Sequence, residues 1–336
     1  MNHENMTYDQ QNKEAQRCGV DRTTWLNIQR QMKEQKFGIE IEMLVPTEKL
    51  VEHSVAVGGY GNRNSIPMTA QGFPKMCVGY DGSLSGYCTD ENGRRVATRG
   101  IEVSSKILTP ADLPMLVEWL EWVNTNLTPK VNKSCGLHIH IDIKGATFSR
   151  NSDHVAKFLM MAVKNTATFN TALYAQTGAA SRYNTNYGRL INDNEKAQMD
   201  EDINRGRLPL VGRTTYLQTR VYNSKGTMEF RAFAATTNKL KVLHHIWTTL
   251  ALTEMSMYGA EVSNARPRWQ GAFDNARDGD KALESFYKVA GKLARQSETI
   301  ESNFRASRKL ARAKAQKFVT NVRRAEARFG RTYTGQ

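Results

Sequence analysis

Residues 134–143 read Ser134-Cys135-Gly136-Leu137-His138-Ile139-His140-Ile141-Asp142-Ile143, and this stretch decides the fold. Apolar and polar side chains alternate, which is the two-residue repeat of a β-strand with one apolar and one polar face. The polar face carries His138, His140 and Asp142, which are unusual choices for a solvated strand face. These residue types are good metal and phosphate ligands. Taken alone, the stretch is explained equally well as a solvated face with two hydrogen-bonded histidines.

Three other short segments repeat this alternation with ionisable side chains in phase: Phe37-Gly38-Ile39-Glu40-Ile41-Glu42-Met43, Gly100-Ile101-Glu102-Val103-Ser104 and Thr227-Met228-Glu229-Phe230-Arg231-Ala232-Phe233. If the four strands share a sheet, four carboxylates, two histidines and one arginine gather on one face. Carboxylates packed this closely repel and raise one another's pKa unless a cation joins them. Oxygen-rich ligation by a divalent cation favours Mg²⁺ or Mn²⁺ over a structural zinc.

The composition is that of an ordinary globular chain. Its 336 residues are 40% hydrophobic, enough for one large domain or a domain with appendages. The four cysteines form no C-x-x-C pair, so no zinc ribbon or thioredoxin-like site is indicated. We find no secretory signal and no apolar run near the roughly 18 residues of a membrane span. We therefore expect a cytoplasmic protein with reduced thiols.

The net charge of +14 is concentrated near the end of the sequence. Residues 303–336 contain ten lysines and arginines and one acid, Glu326. Apolar residues there recur at spacings of three, four or seven, which predicts a helix with one apolar stripe and a basic opposite face. That face is either solvated or a surface for a polyanion such as nucleic acid. It comes with no helix-turn-helix, RNA-recognition or zinc-finger pattern.

Periodicity also predicts the elements around the four strands. Helices are predicted at about residues 21–35, 109–126, 152–176, 238–258 and 280–329. A hairpin is predicted from 216–221 and 227–233, closed by Asn223-Ser224-Lys225-Gly226. Residues 1–20 are predicted to be loosely ordered and residues 177–212 to be irregular. The segment 46–99 is rich in Gly, Asn and Pro, has weak strand signals and is too long for a simple hairpin.

Some conspicuous residues are better explained by structure than by chemistry. The segment Gly58-Gly59-Tyr60-Gly61 lacks the Lys-Ser/Thr of a P-loop and is interpreted as a loop. Asp81 precedes Gly82-Ser83 and is interpreted as a turn former. Cys135 could be a nucleophile, but packing beside Gly136 explains it better. His244 and His245 are interpreted as packing residues, because neighbours on a helix point about 100° apart.

In this order, five segments resemble the amidoligase family, whose members are related to glutamine synthetase and glutamate–cysteine ligase. The segments are Phe37-Gly38-Ile39-Glu40-Ile41-Glu42, the Asp81-Gly82-Ser83 turn, Ile101-Glu102-Val103-Ser104, Cys135-Gly136-Leu137-His138-Ile139-His140 and Thr227-Met228-Glu229-Phe230-Arg231. Each is weak alone, but the ordered set is fairly specific and spans about 60% of the chain. The resemblance implies an α+β, glutamine synthetase-like fold. Its antiparallel sheet would curve around an ATP–metal site on one face, with helices packed on the other.

The resemblance also implies roles for individual residues. Glu40, Glu42, Glu102 and Glu229 would hold Mg²⁺ or Mn²⁺. His138 and His140 would lie at the metal–phosphate side and Arg231 would meet the transferred phosphoryl group, so these three are the implied catalytic and nucleotide-binding residues. An Arg-Tyr element usually precedes the last strand in such proteins. Arg182-Tyr183 and Arg213 with Tyr216 compete for that place, so the substrate-side residues stay open.

The expected function is ATP-dependent formation of an amide bond between a carboxylate and an amine. A carboxylate does not react with an amine at neutral pH, because hydroxide is a poor leaving group. Transfer of the γ-phosphoryl group of ATP makes an acyl phosphate that an amine can displace. This chemistry mainly requires positioning and charge neutralisation. It also calls for a loop that excludes water, and 46–99 and 177–212 are candidates.

Two other functions stay open at this point. One is a metal-dependent hydrolase that uses His138 and His140, and the other is a non-enzymatic nucleic-acid-binding protein that uses the basic tail. For the ligase we expect amino acid, peptide or protein substrates, with the 303–336 tail as a candidate polyanion contact, no membrane partner and an open oligomeric state. We expect an N-terminal extension with a short helix over 1–35, a catalytic domain over 36–262 and a basic helical region over 263–336.

Overall fold

The computed structural model of the chain describes residues 6–17, 21–23, 26, 35–60, 64–142, 193–205, 212, 214–215, 217–257 and seven positions between 302 and 313. It is a mixed α+β structure whose main element is an eight-stranded, mostly antiparallel sheet. A second sheet has two short strands. No helix in these ranges is both long and apolar enough to cross a membrane.

Ten strands are present in the described ranges. They are β1 (Phe37–Pro46), β2 (Gly58–Tyr60), β3 (Ile66–Met68), β4 (Phe73–Tyr80), β5 (Cys88–Thr89), β6 (Arg95–Val96), β7 (Thr98–Ser105), β8 (Gly136–Asp142), β9 (Leu217–Gln218) and β10 (Thr227–Ala234). The main sheet has the order β2-β4-β7-β1-β8-β10-β9, with β3 also paired to β4. Among the described strands, only β2 and β4 pair in parallel.

Six α-helices are present in the same ranges: α1 (Tyr8–Arg17), α2 (Thr47–Glu52), α3 (Leu113–Trp122), α4 (Asp193–Asn204), α5 (Tyr222–Lys225) and α6 (Lys239–Met257). A 3₁₀ turn over Pro110–Asp112 leads into α3, and a π turn over Val123–Leu127 follows it. The predicted helices at 109–126 and 238–258 are therefore confirmed. Those at 21–35 and 152–176 lie mostly or wholly outside the described residues, and of 280–329 only scattered helical positions between 302 and 313 are described.

The four strands predicted from alternation are neighbours, in the order β7-β1-β8-β10. Their apolar residues, such as Ile41 and Ile139, are fully buried. Helix α6 packs on β8 and on α3, and the ring of Phe233 in β10 stacks on His245 of α6 with centroids 4.5 Å apart. The helices thus cover the apolar face, and the polar face is left for the site.

A β-bulge in β10 sets which of its residues reach the core. Phe230 is opposite Ile139 and Phe233 is opposite Leu137, so three residues of β10 span two of β8. Strict alternation would place Phe233 on the polar face with Glu229 and Arg231. The extra residue returns Phe233 to the apolar face, where it is fully buried.

Two segments predicted to lack regular structure contain helices instead, and the weak strand signals of 46–99 are confirmed. Residues 8–17 form α1, because Thr7 and Gln10 form a reciprocal capping box in which each backbone N–H donates to the other side chain. Part of 177–212 forms α4. The 46–99 segment supplies α2 and five strands, including β4 next to β7, so most of it is unsuited to the closing loop proposed above. Gly58–Tyr60 is a strand paired with β4, so the interpretation of this segment as a loop is wrong.

The predicted hairpin also differs in detail. Strand β9 covers Leu217–Gln218 and pairs with β10, as expected, but the connection is the helical turn α5 followed by left-handed Gly226.

His244 and His245 are buried in α6, in agreement with a packing role. Cys135 is fully buried in a small core cluster with Leu44, Cys88 and Ala235, which also supports packing.

Candidate functional site

The pairing registers place the ionisable residues in adjacent rows on the polar face. Glu42 of β1 lies opposite Glu102 of β7. Glu40 lies opposite His138, and His140 lies opposite Glu229. Arg231 follows two residues after Glu229, and its guanidinium donates to the Glu229 carboxylate. The structure therefore brings together the seven residues that strand alternation predicted to share a face.

The first group, cluster 1, consists of Glu40, His140 and Glu229, whose ligand atoms all lie within 4.8 Å of one another. His140 Nε2 is 3.2 Å from Glu40 Oε1. His138 bridges the two carboxylates, because its Nδ1 is 3.4 Å from Glu40 Oε2 and 3.4 Å from Glu229 Oε1. All four side chains are buried. Two carboxylates and a histidine in such a space form a donor set suited to a divalent cation.

Protein cations already neutralise cluster 1. The Lys225 ammonium lies 3.1 Å from Glu40 Oε1. Burial raises the pKa of Glu40, but the nearby His140 and His138 outweigh burial and hold that pKa well below its ordinary value. Glu229 is held on both oxygens, since Arg231 donates to Oε1 and Gln218 donates to Oε2. Both carboxylates of cluster 1 thus have a cationic side chain as a direct partner.

The second group, cluster 2, consists of Glu42, Asp81 and Glu102, again with ligand atoms within 4.8 Å. The Gly136 N–H donates to Glu42 Oε2 at 2.6 Å, and the backbone N–H and hydroxyl of Ser83 donate to Asp81 Oδ1 at 2.8 and 2.7 Å. Among the described residues, the nearest ion-pair partner of this cluster is His138, whose Nε2 is 3.9 Å from Glu42 Oε1. Within the described part of the chain, cluster 2 therefore lacks the close cationic partners that cluster 1 has.

This difference is visible in Glu102. Burial raises its pKa most, repulsion from Glu40, Glu42 and Asp81 adds to that, and Lys225 opposes it, for a pKa of about 8. A carboxyl with a pKa so far above its usual value is protonated at neutral pH unless a cation joins the cluster. Cluster 2 is an energetically costly arrangement that a divalent cation would relieve.

A close backbone approach positions Asp81. The Asp81 N–H donates to the Gly100 carbonyl at 3.1 Å. A Cβ on Gly100 would lie 2.6 Å from the Asp81 carbonyl oxygen and 3.0 Å from Leu84. Only glycine at this position of β7 lets the Asp81 turn lie against the strand.

A cavity of about 460 Å³ adjoins cluster 1. Small residues on the polar face, Gly38, Cys77 and Ser104, leave room for it. Its lining includes three lysines, Lys36, Lys106 and Lys225, and the exposed apolar side chain of Ile107. Lysines around a cavity suit a ligand with an anionic part.

Three buried side-chain atoms of the site have no hydrogen-bond partner among the described residues: Nε2 of His138, Oε1 of Gln218 and Nε of Arg231. Buried donors and acceptors are nearly always satisfied in native proteins. These three atoms are therefore candidates for hydrogen bonds to a ligand or to water.

Three residues of the site were not predicted from the sequence. Asp81 was interpreted as a turn former, and it is one, but the same turn directs its carboxylate into cluster 2. Lys225 was placed in a hairpin turn and Gln218 in the preceding strand without a role. The Asp-x-Ser spacing and the resemblance at 81–83 were the available signals for Asp81.

The candidates for the substrate side lie outside the described residues. They are Arg182-Tyr183 and Arg213 with Tyr216.

Comparison with known proteins adds a family match. The family model described as "Putative amidoligase enzyme" matches residues 33–253. No curated protein matches. Two of the matching solved structures are a bifunctional glutathione synthetase from Pasteurella multocida (10% identity, TM-score 0.43) and the complex between prokaryotic ubiquitin-like protein Pup and its ligase PafA (11% identity, TM-score 0.37). The alignments cover 89% of this chain in each case, but 50% and 70% of those chains, so the chain spans about half the length of the glutathione synthetase.

Proposed function

The chain belongs to the amidoligase family, and from this premise we propose that it is an ATP-dependent carboxylate–amine ligase. The observation that carries the proposal is the pair of carboxylate clusters on one sheet face, with the lysine-lined cavity beside cluster 1. Two oxygen-rich clusters suit two divalent cations, and a cationic cavity next to them suits a nucleotide. This combination is expected of phosphoryl transfer, which depends on positioning and charge neutralisation.

The donor sets fit Mg²⁺ or Mn²⁺. Glu40, His140 and Glu229 would hold one cation, and Glu42, Glu102 and Asp81 the other. His138 is better placed as a bridge that orients Glu40 and Glu229 than as a ligand, because its Nδ1 contacts both. Bound cations would neutralise phosphate oxygens and polarise the transferred phosphoryl group.

We place the nucleotide in the cavity, with its phosphates towards cluster 1. Lys36, Lys106 and Lys225 supply ammonium groups for the phosphates, and the exposed side chain of Ile107 offers an apolar surface to the base. Arg231 has a buried Nε without a partner among the described residues, and this donor is available to the transferred phosphoryl group or to the acid substrate. Its contact with Glu229 fixes its position while leaving that donor free.

The reaction has two steps. A carboxylate oxygen of the acid substrate attacks the γ-phosphorus of ATP, the bond to the β,γ-bridging oxygen breaks, and ADP leaves. The amine nitrogen then attacks the acyl carbon, the C–O bond to phosphate breaks, and the amine loses a proton to give the amide. Amino acid, peptide and protein side chains are all acceptable classes for the acid and the amine.

Calorimetry of nucleotide binding tests the proposal. Wild-type protein should bind ATP at micromolar concentrations with Mg²⁺ present and much more weakly in EDTA. Glu40→Gln should lose at least tenfold in ATP affinity, because it removes the negative charge of one ligand of the cation that positions the phosphates. Glu118→Gln is the matched control, since Glu118 is exposed on α3. ADP release should then require both an acid and an amine. Absence of ATP binding with either metal would overturn the ligase proposal, and turnover without nucleotide would favour a hydrolase.

A further inference from the structure

Lys225 differs from the other partners of cluster 1. It is the last residue of the helical turn α5, and the following Gly226 has a left-handed conformation with φ of 69°. Its ammonium is 3.1 Å from Glu40 Oε1, yet 44% of its side chain is exposed, compared with 11% for that of Glu40. A half-exposed ammonium thus neutralises a buried carboxylate.

The remaining partners of cluster 1 are fixed in the sheet. His138 and His140 are in β8, Gln218 is in β9 and Arg231 is in β10, and all four side chains are largely buried. Moving any of them would disturb a strand. Lys225 sits outside the strands and has a long, flexible side chain, so its ammonium can leave Glu40 without breaking the sheet.

The position of Lys225 gives its ammonium two possible partners. It bonds to Glu40, and it lines the cavity together with Lys36 and Lys106. A divalent cation in cluster 1 and an ammonium at the same carboxylate oxygen repel each other. A bound cation would therefore release Lys225 towards the cavity, where an anion would attract it.

We propose that Lys225 is an exchangeable counter-ion, which neutralises Glu40 in the metal-free site and transfers to the anionic ligand of the cavity when a divalent cation takes its place. The inference rests on the proposed function, namely a cation in cluster 1 and a nucleotide in the cavity. Its consequence is coupling: the cation binds cluster 1 weakly alone and more tightly once an anion is present to accept the ammonium.

The full-length Lys225→Met variant tests the exchange through binding alone. Mn²⁺ is titrated without nucleotide and followed by electron paramagnetic resonance, and the non-hydrolysable analogue AMP-PNP is then titrated by calorimetry at saturating Mn²⁺. Of the two expected Mn²⁺-binding events, the weaker one is assigned to cluster 1, because Lys225 and Arg231 already neutralise its carboxylates. We expect about tenfold tighter Mn²⁺ binding there and about tenfold weaker AMP-PNP binding, within the usual range for coupled sites.

Two control variants separate exchange from general damage. Lys225→Arg keeps the charge and should change both affinities by less than about threefold. Lys49→Met removes a lysine–glutamate pair of 2.7 Å on α2, which belongs neither to the two clusters nor to the cavity lining, and should change neither affinity. Thermal unfolding followed by circular dichroism verifies that each variant is folded.

The direction of the two changes decides the result. Opposite changes in Mn²⁺ and AMP-PNP affinity support the exchange. If Lys225→Met is folded and leaves both affinities unchanged, or weakens both, Lys225 is not an exchangeable counter-ion and the ligase proposal stands without it. If wild-type protein binds neither Mn²⁺ nor AMP-PNP, the proposed function falls and this inference falls with it.

Discussion

Replacing Glu102 with glutamine should make the metal-free protein more stable, which is unusual for a residue in a functional site. The Glu102 carboxyl has a pKa of about 8 in the folded chain, against an ordinary value of 4.5. Between these two pH values the folded state binds more protons at Glu102 than the unfolded state does. Stability is therefore lost as pH rises from 4.5 to 8, by at most about 1.4 kcal/mol per pH unit.

At pH 7 this linkage amounts to about 3 kcal/mol as an upper limit, because the unfolded carboxyl is almost fully ionised and the folded one is mostly protonated. Glutamine has nearly the same shape and no charge to bury. Glu102→Gln should thus raise the free energy of unfolding by up to about 3 kcal/mol at pH 7 in EDTA. The difference from wild type should shrink to a few tenths of a kcal/mol near pH 4.5, where the unfolded carboxyl is half protonated, and towards zero at lower pH, where both states are protonated.

Urea unfolding at pH 5 and pH 7 measures both values, and repeating it with Mg²⁺ adds a second test. Wild-type protein should gain stability with Mg²⁺ by mass action, while the variant gains less because cluster 2 has lost a ligand charge. With Mg²⁺ present, the difference in free energy of unfolding between Glu102→Gln and wild type should become smaller or change sign. Glu118→Gln, at an exposed position of α3, should show neither effect. A Glu102→Gln protein that is less stable than wild type in EDTA at pH 7 would refute the reasoning.

Three further predictions concern the core, a thiol and a glycine. Phe233→Ala should lower the free energy of unfolding by about 3–5 kcal/mol, because Phe233 is fully buried against His245. If urea titration shows a loss below about 1 kcal/mol, Phe233 does not have the core position that the bulge gives it. Cys135→Ala should retain ATP-dependent ligation, and a folded but inactive variant would show that the thiol takes part in the chemistry. Gly100→Ala should displace the Asp81 turn and weaken Mg²⁺ binding at cluster 2 by about tenfold in calorimetry. Gly212→Ala, where a Cβ would meet no atom of the described residues within 4 Å, is its control, and equal affinities in the two variants would argue against a role for that turn.

The polar face could be predicted because the information is local. A period of two places Glu40 and Glu42, or His138 and His140, on the same side of any strand. The sharing of one sheet follows from the need to bury four apolar faces together. Pairing registers such as Glu40 with His138 depend on contacts about 100 residues apart, and no local pattern specifies them.

The missed features depend on departures from regular geometry or on distant contacts. The extra residue in β10 is invisible to an alternation pattern, although it moves Phe233 to the opposite face. Lys225 belongs to the site because α5 brings its ammonium to a carboxylate 185 positions earlier in the chain. Asp81 required a close approach to Gly100, which composition alone does not reveal. The α1 helix had a readable signal in Thr7 and Gln10, but its lack of apolar periodicity concealed it.

The central place of β1 also bears on how the chain folds during synthesis. Its partners β7 and β8 are made about 60 and 100 residues after it. At 5–20 residues per second, β1 therefore waits roughly 3–12 s for its first neighbour. An unpaired strand with an apolar face, here Ile39, Ile41 and Met43, is prone to aggregation, and charged residues along the strand protect against aggregation. Glu40 and Glu42 occupy those protective positions, so selection at both can act on soluble yield as well as on turnover.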